Sequence, residues 1–149
     1  MVSHQFKVST NWNGGRNQIG TVTGDIIKEE ISIPKQLEGM GVGTNPDELL
    51  ISAASSCYII SLAAVLERTH YRDVNIRLTT IGEAEFKNGK FRMNQIIHYP
   101  EITLPPVYQQ SIERKLNRLI ALADSNCMVS NSLRGNVDIK IIPKLKFDN

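Results

Sequence analysis

Eighteen consecutive residues without a charge, Leu49 to Leu66, constrain this 149-residue chain more than any other stretch. The run is preceded by a helix-start signature. Asn45 suits the N-cap, Pro46 the first helical position, and Asp47 and Glu48 place carboxylates in the first turn, where they favour the helix dipole. Asn45 with Glu48 three residues on is also a capping-box arrangement. Pro46 keeps Asn45 out of helical geometry and so sets the boundary. The stretch therefore predicts a helix over 45–66. A helix apolar on every side has to be wrapped by other structure. Ser52, Ser55, Ser56 and Ser61 and several alanines dilute the run, and capping carboxylates open it. These features favour the central helix of a soluble domain over a membrane span.

Cys57 sits near the middle of that helix. A free cysteine is usually a small buried filler, but an activated one is a nucleophile, and the helix alone leaves both readings open. The chain bounds them. It is long enough for one domain, 1–149, with a core of its own. A formal charge of +2, few aromatics and scattered Lys and Arg argue against a nucleic-acid partner. The N-terminus MVSHQFKVST has no apolar signal region, so a cytoplasmic location is expected. In a reducing compartment, Cys57 and Cys127 read as a redox pair rather than a permanent disulfide. Neither has the spacing of a structural zinc site.

The remaining segments predict strands over 4–12, 16–24 and 26–33, with Asn13-Gly14-Gly15 as the first turn and a glycine-rich loop over 35–44. After the helix, Val74, Ile76 and Leu78 alternate with polar residues, and the strand continues through Phe86 to Asn88-Gly89, the strongest hairpin signal present. The returning strand is read with Phe91, Met93, Gln95, Ile97 and Tyr99 on one face and extends toward Leu104. Pro105-Pro106 opens a second helix with Ile112, Leu116, Leu119, Ile120 and Ala123 in one apolar stripe. Cys127 follows it, with Ser130, Asn131 and Asn136 as turn and capping residues, and a last strand alternates Val137, Ile139 and Ile141. Segregated strands and helices predict an α+β fold with mainly antiparallel sheet. One sheet and one flanking helix cover the first helix poorly, so a second copy of the chain is expected to supply the rest as an intimate homodimer.

A thiol peroxidase needs a thiolate, a cation to hold it, and a second thiol or external reductant to clear the sulfenic acid. Cys57 is about three turns into its helix, and the helix dipole fades within the first turn, so a side-chain cation is required. Arg16, just beyond the Gly14-Gly15 turn, is the best candidate, although by itself it reads more readily as a solvated charge after a hairpin. His4, His70 and His98 have no partner at a telling spacing.

Three segments together carry a resemblance. Gly14-Gly15-Arg16, then Gly43-Thr44-Asn45-Pro46-Asp47-Glu48-Leu49 with the small-residue run into Cys57, then Cys127 with Ser130 and Arg134-Gly135-Asn136-Val137, are similar to the motifs of the OsmC/Ohr family of thiol-dependent hydroperoxide reductases. The resemblance implies an OsmC-like fold, with antiparallel sheets around a long buried central helix in an intertwined homodimer. It implies reduction of organic hydroperoxides, and less readily hydrogen peroxide, without metal, flavin or haem. Cys57 would be the peroxidatic cysteine and Cys127 the resolving one, closing a disulfide that an external dithiol, such as a lipoyl group, reduces. Arg16 would hold the thiolate, with Asp47 as its carboxylate partner and Glu48 next door as the alternative. The family usually has Glu where Asp47 stands and often proline where Met128 stands, which brings the chain nearer the OsmC-like branch.

Asp47 and Cys57 lie ten residues apart. On one straight helix that is about 15 Å along the axis and about 80° around it. One arginine can hardly meet both, so either the helix starts later than its capping signals suggest or Asp47 comes from the partner subunit. The cover that the uncharged helix needs from a second chain favours the partner. The alternative from another functional class is a non-catalytic module that binds a small hydrophobic ligand in the dimer cleft.

Overall fold

The computed structural model describes residues 1–148, in two compact units that divide between Leu50 and Ile51. In the first unit, β1 (Ser9–Asn11), β2 (Gly20–Thr23) and β3 (Lys28–Ile31) form an antiparallel sheet in sequence order. All three are shorter than the sequence predicts. Only Gly20, Val22 and Ser32 are buried among residues 1–50, so most apolar side chains expected to extend these strands have no core to pack into. The glycine-rich segment makes a single 3-10 turn, Lys35–Leu37, and returns alongside β3. There the Ser32 hydroxyl donates to the Val42 carbonyl at 2.7 Å and accepts from the Val42 N–H at 2.8 Å.

Helix α1 runs from Pro46 to Arg68. Asn45 caps it as expected, its Oδ1 accepting the Glu48 N–H at 2.9 Å. The reciprocal half of the capping box is replaced: the Glu48 carboxylate accepts from the Thr44 hydroxyl at 2.5 Å. From Ile51 onward α1 is buried along one stripe, Ala54, Tyr58, Leu62, Val65 and Leu66, at the three- and four-residue spacing of a single helix face. The opposite stripe, Ser52, Ala53, Ser56, Ile60 and Ala63, is exposed. The all-round cover expected of an uncharged helix is therefore not supplied within one chain.

The second unit holds a long hairpin, β4 (Asn75–Lys87) and β5 (Lys90–Leu104), joined at Asn88 and Gly89, whose φ values of 56° and 75° are those of the expected two-residue turn. Helix α2 (Gln109–Ser125) buries Ile112, Leu119, Ile120 and Ala123, following the predicted stripe. A short helix α3 (Met128–Leu133) follows, where only turn residues were expected. The chain then crosses back to β6 (Asp138–Ile141) and β7 (Lys144–Phe147), which pair in parallel with successive stretches of β5. A parallel return needs a crossover, and α2 with α3 provides it. Pro143, which has no N–H for a ladder, separates the two strands. The face of β5 that carries Phe91, Met93, Gln95, Ile97 and Tyr99 is not the core face. Ile96, His98, Pro100, Ile102 and Leu104 are buried, while Phe91, Met93, Gln95, Ile97 and Tyr99 are exposed or half-buried. Both faces carry apolar residues, and a histidine and a proline disguise the inner one. Gly82 of β4 admits Ile51 of α1 so closely that a Cβ there would overlap its side chain. The core gathers Tyr58, Leu62, Val65 and Leu66 of α1 with Ile102, Leu104, Ile112, Leu119, Ile120 and Cys127.

Candidate active site

The two cysteines meet inside the second unit. Both are free thiols, and they come from elements far apart in the chain. Cys57 is half-buried on α1, about 100° around the helix from the fully buried Tyr58, and packs against the core cluster to which Cys127 belongs. Cys127 is fully buried and caps α3 in an extended conformation, φ −83° and ψ 113°. Its Sγ accepts the Ser130 N–H at 3.5 Å. Burial pushes the Cys127 thiol up, and the adjacent Cys57 side chain adds to that; the Ser130 hydroxyl and backbone N–H oppose it. Cys127 is thus held as a thiol, directly beside Cys57.

Behind the pair lies a polar cluster that sequence reasoning did not assemble. Tyr58 stacks on His98 with ring centroids 4.6 Å apart, and its hydroxyl donates to the Ile120 carbonyl at 3.3 Å. His98 shares a hydrogen bond with the Thr80 hydroxyl through Nδ1 at 2.9 Å. Burial lowers His98, with Asp124 opposing, and burial raises Tyr58, with Asp124 and Cys127 adding to it. Both rings are consequently uncharged at neutral pH. The adjacency of Tyr58 to Cys57 was visible in the sequence; nothing local marked His98, which sits some 40 residues on.

Arg16 and Asp47 belong to the first unit. Arg16 does follow the expected turn, but its guanidinium grips backbone: Nη2 donates to the Leu37 carbonyl at 2.5 Å, and Nη1 to the Glu38 carbonyl at 3.3 Å and to Asn17 Oδ1 at 3.1 Å. It thereby satisfies carbonyls left open at the end of the 3-10 turn. Asp47 stands in the first turn of α1. Among the described residues, neither Arg16, Asp47 nor Glu48 forms an ion pair.

Residues 39–142 match the family model described as OsmC-like protein. The chain belongs to the OsmC-like family. Relatives of this OsmC-like chain agree along nearly their full length. It is 37% identical over 147 residues to YmaD, an uncharacterized protein of Bacillus subtilis, covering 99% of this chain and 98% of that one. It is 22% identical over 137 residues to the peroxiredoxin OsmC of Escherichia coli, covering 89% and 92%. The solved structure of the organic hydroperoxide resistance protein OhrB of Bacillus subtilis superposes with a TM-score of 0.68 at 23% identity, covering 96% and 98%. The fold is accordingly the OsmC-like α+β fold. Within it, two free thiols lie side by side, the arrangement that dithiol–disulfide chemistry requires.

Proposed function

We propose that the protein is a thiol-dependent peroxidase that reduces organic hydroperoxides, and hydrogen peroxide less readily. The observation that carries this reading is the meeting of two free thiols, Cys57 half-exposed and Cys127 buried, in a chain of the OsmC-like family. The names of the Escherichia coli and Bacillus subtilis relatives support it.

In this mechanism the Cys57 thiolate attacks the terminal peroxide oxygen, the O–O bond breaks, and the alcohol leaves with a proton. Cys57 becomes a sulfenic acid. The Cys127 sulfur then displaces the hydroxyl, which leaves as water with the Cys127 proton, and the disulfide is returned to two thiols by an external dithiol of lipoyl type. Arg16 supplies the cation that holds the thiolate. A guanidinium has five N–H donors, and the contacts of Arg16 to Leu37, Glu38 and Asn17 draw on Nη1 and Nη2 only. Asp47 is assigned as its carboxylate partner, contributed from a second subunit. The uncharged exposed stripe of α1, with Ile60 at 69% exposure, supports a homodimer in which another copy covers that face.

The test is thiol loss on adding stoichiometric cumene hydroperoxide. A peroxidase loses both thiols far faster than free cysteine does and prefers the organic peroxide. A module that only binds ligand reacts no faster than free cysteine, and that outcome would reject the reading.

A further inference from the structure

Resolution requires more than a second thiol; the thiol has to be aimed. Cys127 belongs to no long element. It lies between the end of α2 and the six-residue α3, too short to hold its own geometry. What fixes it is a set of ties across its base. The Cys127 N–H donates to the Asp124 carbonyl at 3.1 Å. Arg134, beyond the far end of α3, returns to the same carbonyl with Nη2 at 3.4 Å and to Asp124 Oδ2 with Nη1 at 3.1 Å. Its Nη2 also donates to Asn131 Oδ1 at 3.1 Å, and Asn131 Nδ2 donates to the Ser125 carbonyl at 2.9 Å. Cys127 and Arg134 therefore hang from one carbonyl, and the segment between them is closed into a ring.

The ion pair inside this ring differs from an ordinary surface pair. Arg134 is 50% exposed but Asp124 only 17%, and Asp124 Oδ1 is buried without a hydrogen-bond partner among the described residues. A carboxylate so placed depends on its cation, whereas a fully solvated pair contributes little.

We propose that Arg134, clamped to Asp124, is a positioning residue that aims Cys127 at the Cys57 sulfur and so sets how fast the sulfenic acid closes to the disulfide. This rests on the peroxidase reading for its kinetic consequence. Closure forms the S–S bond, breaks the S–O bond of the sulfenic acid, and releases water carrying the Cys127 proton; no outside oxidant or reductant enters. Arg134 touches neither sulfur and acts only through where it holds the turn.

Arg134→Ala and Arg134→Lys are compared with wild type in two ways. After one equivalent of cumene hydroperoxide, the rate of Cys57 oxidation and the lifetime of its sulfenic acid (trapped with dimedone) are measured separately. In glutathione redox buffers, the effective concentration of the Cys57–Cys127 disulfide is measured with no peroxide present. With Arg134→Ala the oxidation step is unchanged, closure slows by about 10- to 100-fold and the effective concentration falls by about tenfold, as misaligned reacting groups dictate. Arg134→Lys keeps the charge but loses the two-pronged contact and recovers part of both; if the alanine variant does not fold, the lysine variant carries the test. Closure and effective concentration equal to wild type overturn the proposal, as does an oxidation step slowed in proportion to closure, which marks a general loosening. If the wild type fails to consume hydroperoxide, the peroxidase reading falls, while the glutathione measurement still decides whether Arg134 aims Cys127.

Discussion

Cys57 lies deep inside a 23-residue helix, whereas Cys127 caps a helix of six residues. Around Cys57 the backbone N–H groups are committed to the helix, so the sulfur has no amide to lean on. At the start of α3 the first N–H groups are free, and that of Ser130 reaches Cys127. Backbone support alone would make Cys127 the more acidic thiol. Burial reverses this and pushes it up, because a single N–H···S contact at 3.5 Å is weak against desolvation. The comparison separates having a nearby donor from being activated. In the proposed mechanism the half-exposed cysteine without amides meets the peroxide, and the buried, capped one waits as a thiol.

The largest effect that tests this contrast is loss of one sulfur at a time. Cys57→Ser should reduce hydroperoxide consumption to background. Cys127→Ser should retain a single turnover and accumulate a sulfenic acid at Cys57. Failure of the Cys127 variant in that first turnover would mean the roles are wrongly assigned.

Arg16 comes next. Its replacement by Ala should slow the first step by about 100-fold, the usual scale for removing one electrostatic support. Arg16→Lys should recover part of the rate. A first step as fast in the alanine variant as in wild type would remove Arg16 from the site.

A smaller effect separates the two sulfurs by pH. Because the folded protein holds Cys127 above its ordinary value, its thiolate fraction is still small at pH 7 and grows as pH rises past about 8.5. Sulfenic acid closure should accelerate by up to about tenfold per pH unit over that range, the growth of a thiolate below its own pKa. Stopped-flow closure rates that are flat with pH would contradict the role of burial.

The smallest effect concerns His98 behind the pair. Burial lowers it, so the unfolded chain takes up its proton first. The stability this neutral ring provides is intact above about 6.5 and is lost as pH falls through the window below, by at most about 1.4 kcal/mol per unit. His98→Gln should flatten that slope in urea titrations. A slope unchanged in the variant would assign the acid sensitivity to other groups.

How far these features could be read from the sequence varied along the chain for physical reasons. Helix α1 was legible because its cap residues and uncharged run are local signals, and the β4–β5 hairpin because alternation and Asn88-Gly89 agree. The first three strands were overread. Phe6, Val8 and Ile26 look like strand residues but are 87%, 61% and 93% exposed, since their unit builds almost no core. Helix α3 and β7 were missed because six and four residues carry too little periodicity. The inner face of β5 was not legible because the Thr80 hydrogen bond and the Tyr58 stack that allow His98 inside come from other elements. Cys57 was singled out from its own helix and Cys127 from its position after α2. Cysteine usage in a reducing compartment suggested a redox pair, the resemblance gave each cysteine its role, and spacing alone could not show that they meet.

The central claim is that Cys57 and Cys127 of one chain form a single redox couple. The most direct measurement is mass spectrometry of nonreduced peptides after wild-type protein receives one equivalent of cumene hydroperoxide. The account predicts an intramolecular Cys57–Cys127 disulfide at near-full yield. Disulfides found only between subunits, or Cys57 oxidised while Cys127 remains a free thiol, would contradict it.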